Sequence, residues 1–407
     1  MEMLTHTKSS RTAFKSTDFV GNGENRVVKI KELKDGTVKF FNDSSYITCN
    51  DEIKDKFSIN YLDVLFALTG DPVDKPNPLS WVGRVSLYKY KEKSLMNQRV
   101  CKALPSEKID NLFLYYYFRQ SDVFYQLASK ATGSASQANI STKTIADVSI
   151  SLPPIQEQKK IASILKSLDD KIEVNRKINE NLEQQAQALF KSWFVDFEPF
   201  KNGEFVESEL GMIPKGWRVG TLGEVLNLRK DSYKKGSDLT LPYMPIDIIP
   251  MHSLGVNEFK DNKEAQSSLQ TFEKNDIIIG AMRVYFHRVV IAPCKGITRN
   301  TCFVLKPKNN IMWAYCILEC NQDEAINYAN RTSKGSTMPY AVWENGFADY
   351  SIVIPLDSVL EMFNLLVSPI LEKIRDSYKE SRRLADLRDT LLPKLMSGEL
   401  KVNDIKE

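Results

Sequence analysis

The sequence predicts an α/β protein of the α+β type, in which two globular domains are separated by two long helices that pack antiparallel as a coiled coil. Three observations support this fold class. A seven-residue apolar repeat runs through residues 152–194, a second one lies 202 positions later, and the segment before each repeat mixes short β-rich runs with helical ones. The chain is therefore one unit written twice, and we expect a pseudo-two-fold internal repeat.

The first long helix is predicted by apolar residues whose spacing alternates between four and three positions. That spacing is typical of a coiled coil, whereas an ordinary surface helix drifts at about 3.6 residues per turn. Pro153 and Pro154 prevent an earlier start, and Pro199 with Gly203 ends the helix. The predicted seam is Ile161, Leu165, Leu168, Ile172, Asn175, Asn179, Leu182, Ala186, Leu189 and Trp193.

The second long helix repeats this seam without a gap. Two equivalent helices related by an axis perpendicular to them pack antiparallel, so the polar pair Asn175 and Asn179 should meet Ser377 and Ser381 and fix the register. Arg388 interrupts the apolar pattern. The predicted seam is Phe363, Val367, Ile370, Ile374, Ser377, Ser381, Leu384, Arg388, Leu391 and Leu395.

Four apolar residues of the first helix lie off its seam: Ile164, Ile178, Phe190 and Phe194. Two helices alone would not bury them, which suggests that other subunits add helices to the bundle. The alternative is that they flank the core of a domain. The resulting boundaries are residues 1–152 for the first domain, 153–200 for the first helix, 201–354 for the second domain, and 355–407 for the second helix and a C-terminal tail.

Composition excludes several protein classes. The 407 residues carry a net charge of +3, which is too small to indicate nucleic-acid binding by itself. The sequence has neither a membrane span nor a signal peptide, so we expect a cytoplasmic protein. Its six cysteines form no CxxC pair and it has three histidines, so no metal site is expected. Cys316 and Cys320 could form half a metal site, but buried packing is the favoured interpretation.

Two Gly/Ser-rich loops, at residues 129–141 and 330–342, are the candidates for contact with DNA. Each follows a helix and combines basic residues with hydroxyl groups and small residues that allow close approach to a phosphate backbone. Arginines in two further segments could read guanine with two hydrogen bonds. A plain polar turn or a surface arginine is the alternative at each place. The candidate DNA-binding residues are Lys130, Gly133, Ser134, Gln137, Asn139, Arg283, Arg299, Lys334, Gly335, Ser336, Thr337 and Tyr340.

Catalytic motifs are absent. The segment FVGNG at residues 19–23 matches the FxGxG turn of adenosylmethionine-dependent methyltransferases only superficially, since it neither follows a hydrophobic strand nor opens a helix. No Asn/Asp-Pro-Pro-aromatic tetrapeptide and no GxxxxGK[ST] phosphate loop occurs. We therefore expect no catalytic residue in this chain.

The duplicated plan, the segment ISLPPIQEQKKIASILKSLDDKIEVNRKINENLEQQAQALFKSWFVDFEPF, the linker ESELGMIPKGWRVGTLGEV and the ending LRDTLLPKLMSGELKV resemble the specificity subunits of type I restriction-modification systems, the HsdS family. The resemblance covers essentially the whole chain. It implies that each domain is a target recognition domain that reads one half of a bipartite double-stranded DNA target. It also implies that the helices set the length of the unread spacer.

The resemblance further implies partners and cofactors. Two methylation subunits would bind the helices and carry S-adenosylmethionine for N6-adenine methylation. Two restriction subunits would use ATP and Mg²⁺ for translocation and cleavage. The chain itself would bind no cofactor and would act with DNA in a prokaryotic cytoplasm.

One segment of the second domain, residues 211–225, has no counterpart before Met1. Either the C-terminal tail packs beside the first domain and completes a circular arrangement, or the start of that domain is truncated. Two rival functions stay open at this point. The domains could form an enzyme bridged by helices, or the chain could be a coiled-coil scaffold or two-domain DNA-binding protein without a restriction partner.

Overall fold

A computed structural model describes residues 14, 16–41, 43–49, 51–75, 77–134, 136–234, 237–238, 240–265 and 268–402. The chain forms two compact units. The first contains the residues up to Asp169 together with those from Leu387 onward, and the second is the continuous stretch Asp170–Asp386. Both mix helix and sheet, and the predicted fold class is confirmed.

The described residues of the first unit form three sheets. In spatial order the strands are Ser45–Ile47, Asn25–Val28, Ser94–Met96 and Ser58–Ile59 in one sheet; Val100–Lys102, Val64–Ala67, Val85–Leu87, Thr37–Val38 and Leu33–Lys34 in the second; and Thr132–Ser134, Gln137–Asn139 and Thr69–Gly70 in the third. The α-helices before the first long helix are Asp51–Phe57, Asn111–Arg119, Ser121–Ser129 and Thr142–Ala146, and 3-10 turns lie at Ser16–Asp18, Ile30–Glu32 and Pro78–Ser80.

The second unit contains two larger sheets and two strand pairs. In spatial order the strands are Leu226–Leu228, Cys302–Pro307, Ile277–Gly280 and Val289–Ile291 in one sheet, and Ser232–Tyr233, Leu269–Phe272 and Gly296–Arg299 in another; the pairs are Phe205–Ser208 with Gly211–Pro214, and Arg218–Thr221 with Ser351–Ile354. Its shorter α-helices are Leu222–Val225, Trp313–Cys320 and Asp323–Arg331, and 3-10 turns lie at Glu198–Phe200, Ile246–Ile248, Asn262–Glu264, Val284–Phe286, Asn310–Met312 and Phe347–Asp349.

The same order of elements occurs in both units. A buried central strand, Val64–Ala67 or Ile277–Gly280, pairs antiparallel with a strand on each side. Two short helices follow, and the helix Ser121–Ser129, moved by 202 positions, coincides with Asp323–Arg331. The duplication seen in the sequence is therefore a duplication of structure.

A carboxylate holds the turn before each central strand in the same way. Asp63 accepts a hydrogen bond from the backbone N–H of Asn60 at 2.7 Å, and Asp276 accepts one from Glu273 at 2.7 Å. Each is also paired with a cation, Lys102 at 3.0 Å in the first unit and Arg229 at 2.8 Å in the second. The two aspartates thus mark equivalent turns in the two units.

The long helices are Ile155–Phe190 and Asp357–Ser397, with 36 and 41 residues. The first begins directly after Pro154, as predicted. At its end a π-helical turn, Lys191–Val195, leads to Phe197, whose left-handed backbone (φ 52°) ends the helix before Pro199. No helix in the described ranges is long and apolar enough to cross a membrane.

Within the second unit the two helices run antiparallel. Asn175 Nδ2 donates to Ser381 Oγ at 3.3 Å and to Glu380 at 2.9 Å, while the Phe194 ring lies 4.6 Å from that of Phe363. Partner numbers fall as residue numbers rise, which is the antiparallel direction. Asn175 and Ser381, two of the four polar residues predicted at the centre of the seam, therefore meet in the structure.

Within the first unit the start of the first helix and the end of the second share one hydrophobic core. Ile161 and Leu165 are buried there with Leu395. Leu400 and Val402 pack against the same core. The C-terminal tail thus docks beside the first domain, which is one of the two alternatives left open by the sequence.

The structure corrects the interpretation of two off-seam residues. Phe190 and Phe194 are only 1% and 6% exposed, because their rings pack on Tyr315 and Phe363 inside the second unit. Aromatic side chains at this end of the helix anchor a domain and are not available to another subunit. Ile178, by contrast, is 38% exposed.

Cys101, Cys302, Cys316 and Cys320 are buried thiols. Burial raises the pKa of the Cys302 thiol to about 11. Cys316 and Cys320 lie in the core with no exposed surface, which confirms packing as their role.

Candidate nucleic-acid interface

The first candidate loop is a β-hairpin at the surface of the first unit. Thr132–Ser134 pairs with Gln137–Asn139, which in turn pairs with Thr69–Gly70. Gln137 is exposed, as are Lys130, Gly133 and Ser134. Asn139 is half-buried, because its Oδ1 accepts a 2.8 Å hydrogen bond from Thr69 Oγ1. Asn139 therefore fixes the hairpin to the sheet, and the more exposed residues face solvent.

The second candidate loop has the same pattern of pairing. Lys334 and Tyr340 exchange two backbone hydrogen bonds of 2.9 Å, and Tyr340 forms a further bridge with Met282. Gly335, Ser336 and Thr337 at the tip are exposed. The two loops are thus equivalent structures in the two units and present similar chemistry.

Each loop contains a glycine that another residue could not easily replace. Gly133 has φ +149° and Gly335 has φ +87°, in the region that favours glycine. A Cβ at Gly133 would collide with the carbonyl oxygen of Gln137, and one at Gly335 would lie 3.2 Å from that of Met338. These glycines are 202 positions apart, so the duplication has kept a glycine at this place in the loop.

The structure brings Arg283 next to the second loop. Its backbone N–H donates to the Pro339 carbonyl at 2.7 Å, and its side chain is exposed. Arg299, also exposed, ends the strand Gly296–Arg299 in a different sheet. Arg283, Lys334 and Tyr340 therefore lie together at the second loop, whereas Arg299 lies in another sheet and is not part of this group. A cleft lies beside the second loop.

That cleft, of about 510 Å³, lies between the second loop and two sheets of the second unit. Lys334 and Tyr340 line one side, and Lys230 and Asn300 line the other. Lys230 forms a 2.7 Å ion pair with Glu344, so its ammonium group is held at the rim. Sequence reasoning missed Lys230 and Asn300 because no motif links them to the loop; the topology of the sheets brings them there.

A second cleft missed by sequence reasoning lies in the first unit, with a volume of about 260 Å³. Arg26 projects into a group of aromatic rings, where its guanidinium lies 4.5 Å from the centroid of Phe40 and donates to Tyr46 Oη at 2.6 Å. Tyr88 and Tyr90 complete the walls. An arginine held among aromatic rings keeps its charge and loses little freedom on binding a phosphate or a base.

The residues predicted to pair the helices are all buried or half-buried. The buried ones are Ile161, Leu165, Asn175, Asn179, Phe363, Val367, Ile374 and Leu395, and the half-buried ones are Leu168, Ile172, Leu182, Leu189, Trp193, Ile370, Leu384 and Leu391. The prediction missed Leu371, Leu392 and Met396, which are also buried and lie one position away from predicted seam residues.

Arg388, which interrupts the predicted seam, has a specific partner. It donates to Asp169 at 2.6 Å, and Asp169 also accepts from Tyr116 at 2.8 Å and lies 3.4 Å from Arg119. Burial alone would raise the pKa of the Asp169 carboxyl, but the two guanidinium groups hold that pKa below its usual range. One buried carboxylate thus joins both long helices to the first domain.

Comparison with known proteins identifies the family. Residues 3–184 match the model of the type I restriction modification DNA specificity domain. The chain is 31% identical over 323 residues to the MjaIX type I restriction enzyme specificity subunit of Methanocaldococcus jannaschii, covering 76% of this chain and 73% of the relative. It is 23% identical to the HindI specificity subunit of Haemophilus influenzae, covering 69% of this chain and 74% of that one.

A solved structure has the same fold. The type I restriction-modification S subunit from M. genitalium superposes with a TM-score of 0.57 at 18% identity, covering 94% of this chain and 91% of the other. The duplicated units, the long helices and these similarities agree with the resemblance found in the sequence. The chain belongs to the specificity subunits of type I restriction-modification systems.

Proposed function

We propose that this specificity subunit reads a bipartite double-stranded DNA target, with one half-site for each domain. The observation that carries the proposal is the repeated loop: each unit has a glycine at the equivalent position, with an exposed lysine and exposed hydroxyl groups in the same loop. Backbone N–H groups, hydroxyls and lysines position a protein on phosphates, and exposed Gln137 or Arg283 can reach base edges.

The long helices set the unread spacer in this proposal. Each is a continuous element of known rise, about 1.5 Å per residue, and the buried Asn175–Ser381 contact fixes their register. A fixed register holds the spacer at one length. The half-sites themselves would then be read independently.

Two methylation subunits are the proposed partners of the helices. Supporting this, the second unit exposes apolar side chains on its helical surfaces, including Val174, Ile178 and Met362, and Leu365 is 80% exposed. Exposed apolar residues on both long helices indicate a protein partner. Two restriction subunits would join the assembly through the methylation subunits.

The chemistry belongs to these partners. S-adenosylmethionine would bind in the methylation subunits, and ATP with Mg²⁺ in the restriction subunits. The chain would direct N6-adenine methylation and ATP-dependent restriction to its target without catalysing either. The absence of phosphate-loop and methyltransferase motifs in the sequence supports this assignment.

The test is to express the chain with its neighbouring methylation subunit and to map N6-methyladenine in genomic DNA by long-read sequencing. We expect one bipartite motif with a fixed gap. Exchanging residues 1–150 for the first domain of another family member should change one half of the motif and leave the other half and the gap intact.

Two results would contradict the proposal. An unchanged motif after the exchange would show that the first domain does not read DNA, and a stable complex without methylation would leave the chain as a scaffold. As a control, exchanging residues 201–350 should change the opposite half of the motif.

A further inference from the structure

Two of the three histidines of the chain meet an aspartate at one place in the second unit. The imidazole nitrogens of His252 and His287 and a carboxylate oxygen of Asp323 all lie within 4.8 Å of one another. The two rings are 4.6 Å apart, and the backbone N–H of His252 donates to the His287 carbonyl at 2.9 Å. These residues come from a loop, a 3-10 turn and the start of a helix, so no sequence spacing marks them.

Both ring nitrogens of His287 have polar partners, and one of these is the carboxylate of Asp323. Nε2 of His287 lies 2.9 Å from the amide oxygen of Asn321, and Nδ1 lies 3.1 Å from Asp323 Oδ1. In a neutral ring that donates from Nε2, Nδ1 carries a lone pair, and a lone pair facing a carboxylate oxygen is repelled unless a cation binds both. The hydrogen bond to Asn321 is the support that metal-binding histidines usually have on their second nitrogen.

We propose that His252, His287 and Asp323 bind a divalent transition metal, for which Zn²⁺ is the best candidate. The Nδ1 to Oδ1 distance of 3.1 Å is close to the roughly 3.3 Å that separates two ligands of a tetrahedral ion with bonds of about 2.0 Å. Two imidazoles favour zinc over magnesium or calcium, which prefer oxygen. With three protein ligands, the exposed fourth position goes to water.

The surroundings fit a bound cation. Arg288 directly follows His287 in the sequence, but its guanidinium group donates a hydrogen bond to the Ile246 carbonyl. His287 is only 5% exposed, so its orientation is fixed by packing, whereas His252 and Asp323 are exposed and can adjust.

The metal would fasten the turn that carries Arg283. His287 ends the 3-10 turn Val284–Phe286, and both Arg283 (φ 50°) and His287 (φ 49°) have left-handed backbones, as has His252 (φ 52°). Such conformations persist only where the surroundings hold them. A metal bound to His252, His287 and Asp323 ties this turn to the helix Asp323–Arg331 and to the loop of His252, and so fixes the exposed Arg283 and Tyr285 between them.

The test measures Zn²⁺ binding to the full chain by competition with a chromophoric chelator, and uses Co²⁺ as a spectroscopic probe. We expect one equivalent to bind and a tetrahedral Co²⁺ spectrum without a thiolate charge-transfer band, which excludes the free cysteines. His252→Gln and Asp323→Asn, which change exposed side chains, should each weaken Zn²⁺ binding by at least about tenfold. Hydrogen exchange of residues 283–287 should slow when Zn²⁺ is added.

His6→Gln is the matched control, since it removes the remaining histidine, and it should leave Zn²⁺ affinity unchanged. The proposal is overturned if wild type binds no Zn²⁺ at micromolar concentration. It is also overturned if His252→Gln and Asp323→Asn bind as tightly as wild type. Neither result bears on whether the domain reads DNA.

Discussion

A substitution of Gly133 tests whether the candidate loop of the first domain binds DNA. Gly133→Ala places a Cβ against the Gln137 carbonyl in a backbone conformation that favours glycine, so we expect a loss of about 1–3 kcal/mol in the stability of the hairpin. Binding to target DNA should weaken with it. Gly21→Ala is the control, because nothing lies within 4 Å of that position. Equal DNA affinity of both variants would remove the hairpin from the interface.

We expect Asp169 to contribute more to the free energy of unfolding than a surface aspartate does. Asp169→Ala leaves the Arg119 and Arg388 guanidinium groups without their shared buried carboxylate, which should cost roughly 3–5 kcal/mol of unfolding free energy. Asp147→Ala, at an exposed position of the same unit, should change it by less than about 0.5 kcal/mol. Chemical denaturation of both variants measures the difference, and similar midpoints would mean that the network contributes little.

We expect the ionisation of the Glu183 carboxyl group to make the free energy of unfolding depend on pH. Burial raises the pKa of its carboxyl to about 6, although Leu254 N–H and Ser253 Oγ each donate to it at 3.1 Å. The folded chain therefore holds this proton more tightly than the unfolded chain, whose glutamates titrate near about 4.3. The protonated carboxyl group contributes its full stabilisation below about pH 4.3, and this stabilisation is lost as the pH rises through about 6.

Glu183→Gln keeps an oxygen acceptor and removes the ionisation. At about pH 7.5 the variant should be more stable than wild type by up to about 2 kcal/mol, and the two should converge near about pH 4. Thermal unfolding at both pH values checks this. If the variant and wild type differ in stability by the same amount at both pH values, the effect comes from packing and not from ionisation.

At the level of elements, two buried polar atoms at the centre of the helix pair lack hydrogen-bond partners within the part of the chain that the structure describes. Asn179 and Ser377 are 1% and 2% exposed, and neither Asn179 Oδ1 nor Ser377 Oγ has a hydrogen-bond partner among the described residues. Replacing both, as Asn179→Leu with Ser377→Ala, should raise the unfolding free energy by about 1–3 kcal/mol. Asn181→Leu, on the exposed face, should be nearly neutral. A less stable double variant would indicate that the polar pair stabilises the helices.

The periodic elements were predictable and the recognition surface only partly so. A seven-residue repeat shows both helices, because seam positions are set by local spacing, and the internal duplication predicts their antiparallel direction. The buried ring of Phe190 could not be assigned from that spacing, since the domain around Tyr315 and Phe363 covers it. Lys230, Asn300 and Arg26 were missed for a related reason: the pairing of strands that are distant in sequence brings them to their clefts.

At the scale of the whole molecule, the duplicated plan predicts that target halves and spacer can be changed separately. Inserting about one helical turn, four residues, near Asn179 should lengthen the gap in the methylated motif while preserving both half-sites. The same insertion in the exposed turn at residues 201–203 is the control and should leave the gap unchanged. Methylation mapping of both variants gives the result, and an unaltered gap in the helix variant would refute the role of the helices as a ruler.

The docking of residues 387–402 on the first unit also determines the order in which the chain can fold during synthesis. Residues 170–386 form a continuous unit, whereas the first unit is discontinuous and needs Leu392, Leu395 and Met396 to cover Ile161 and Leu165. A ribosome translating this message therefore finishes the second domain before the first can close. Until then the nascent first domain exposes the apolar side of its long helix, and a chain released before residue 387 would keep it exposed.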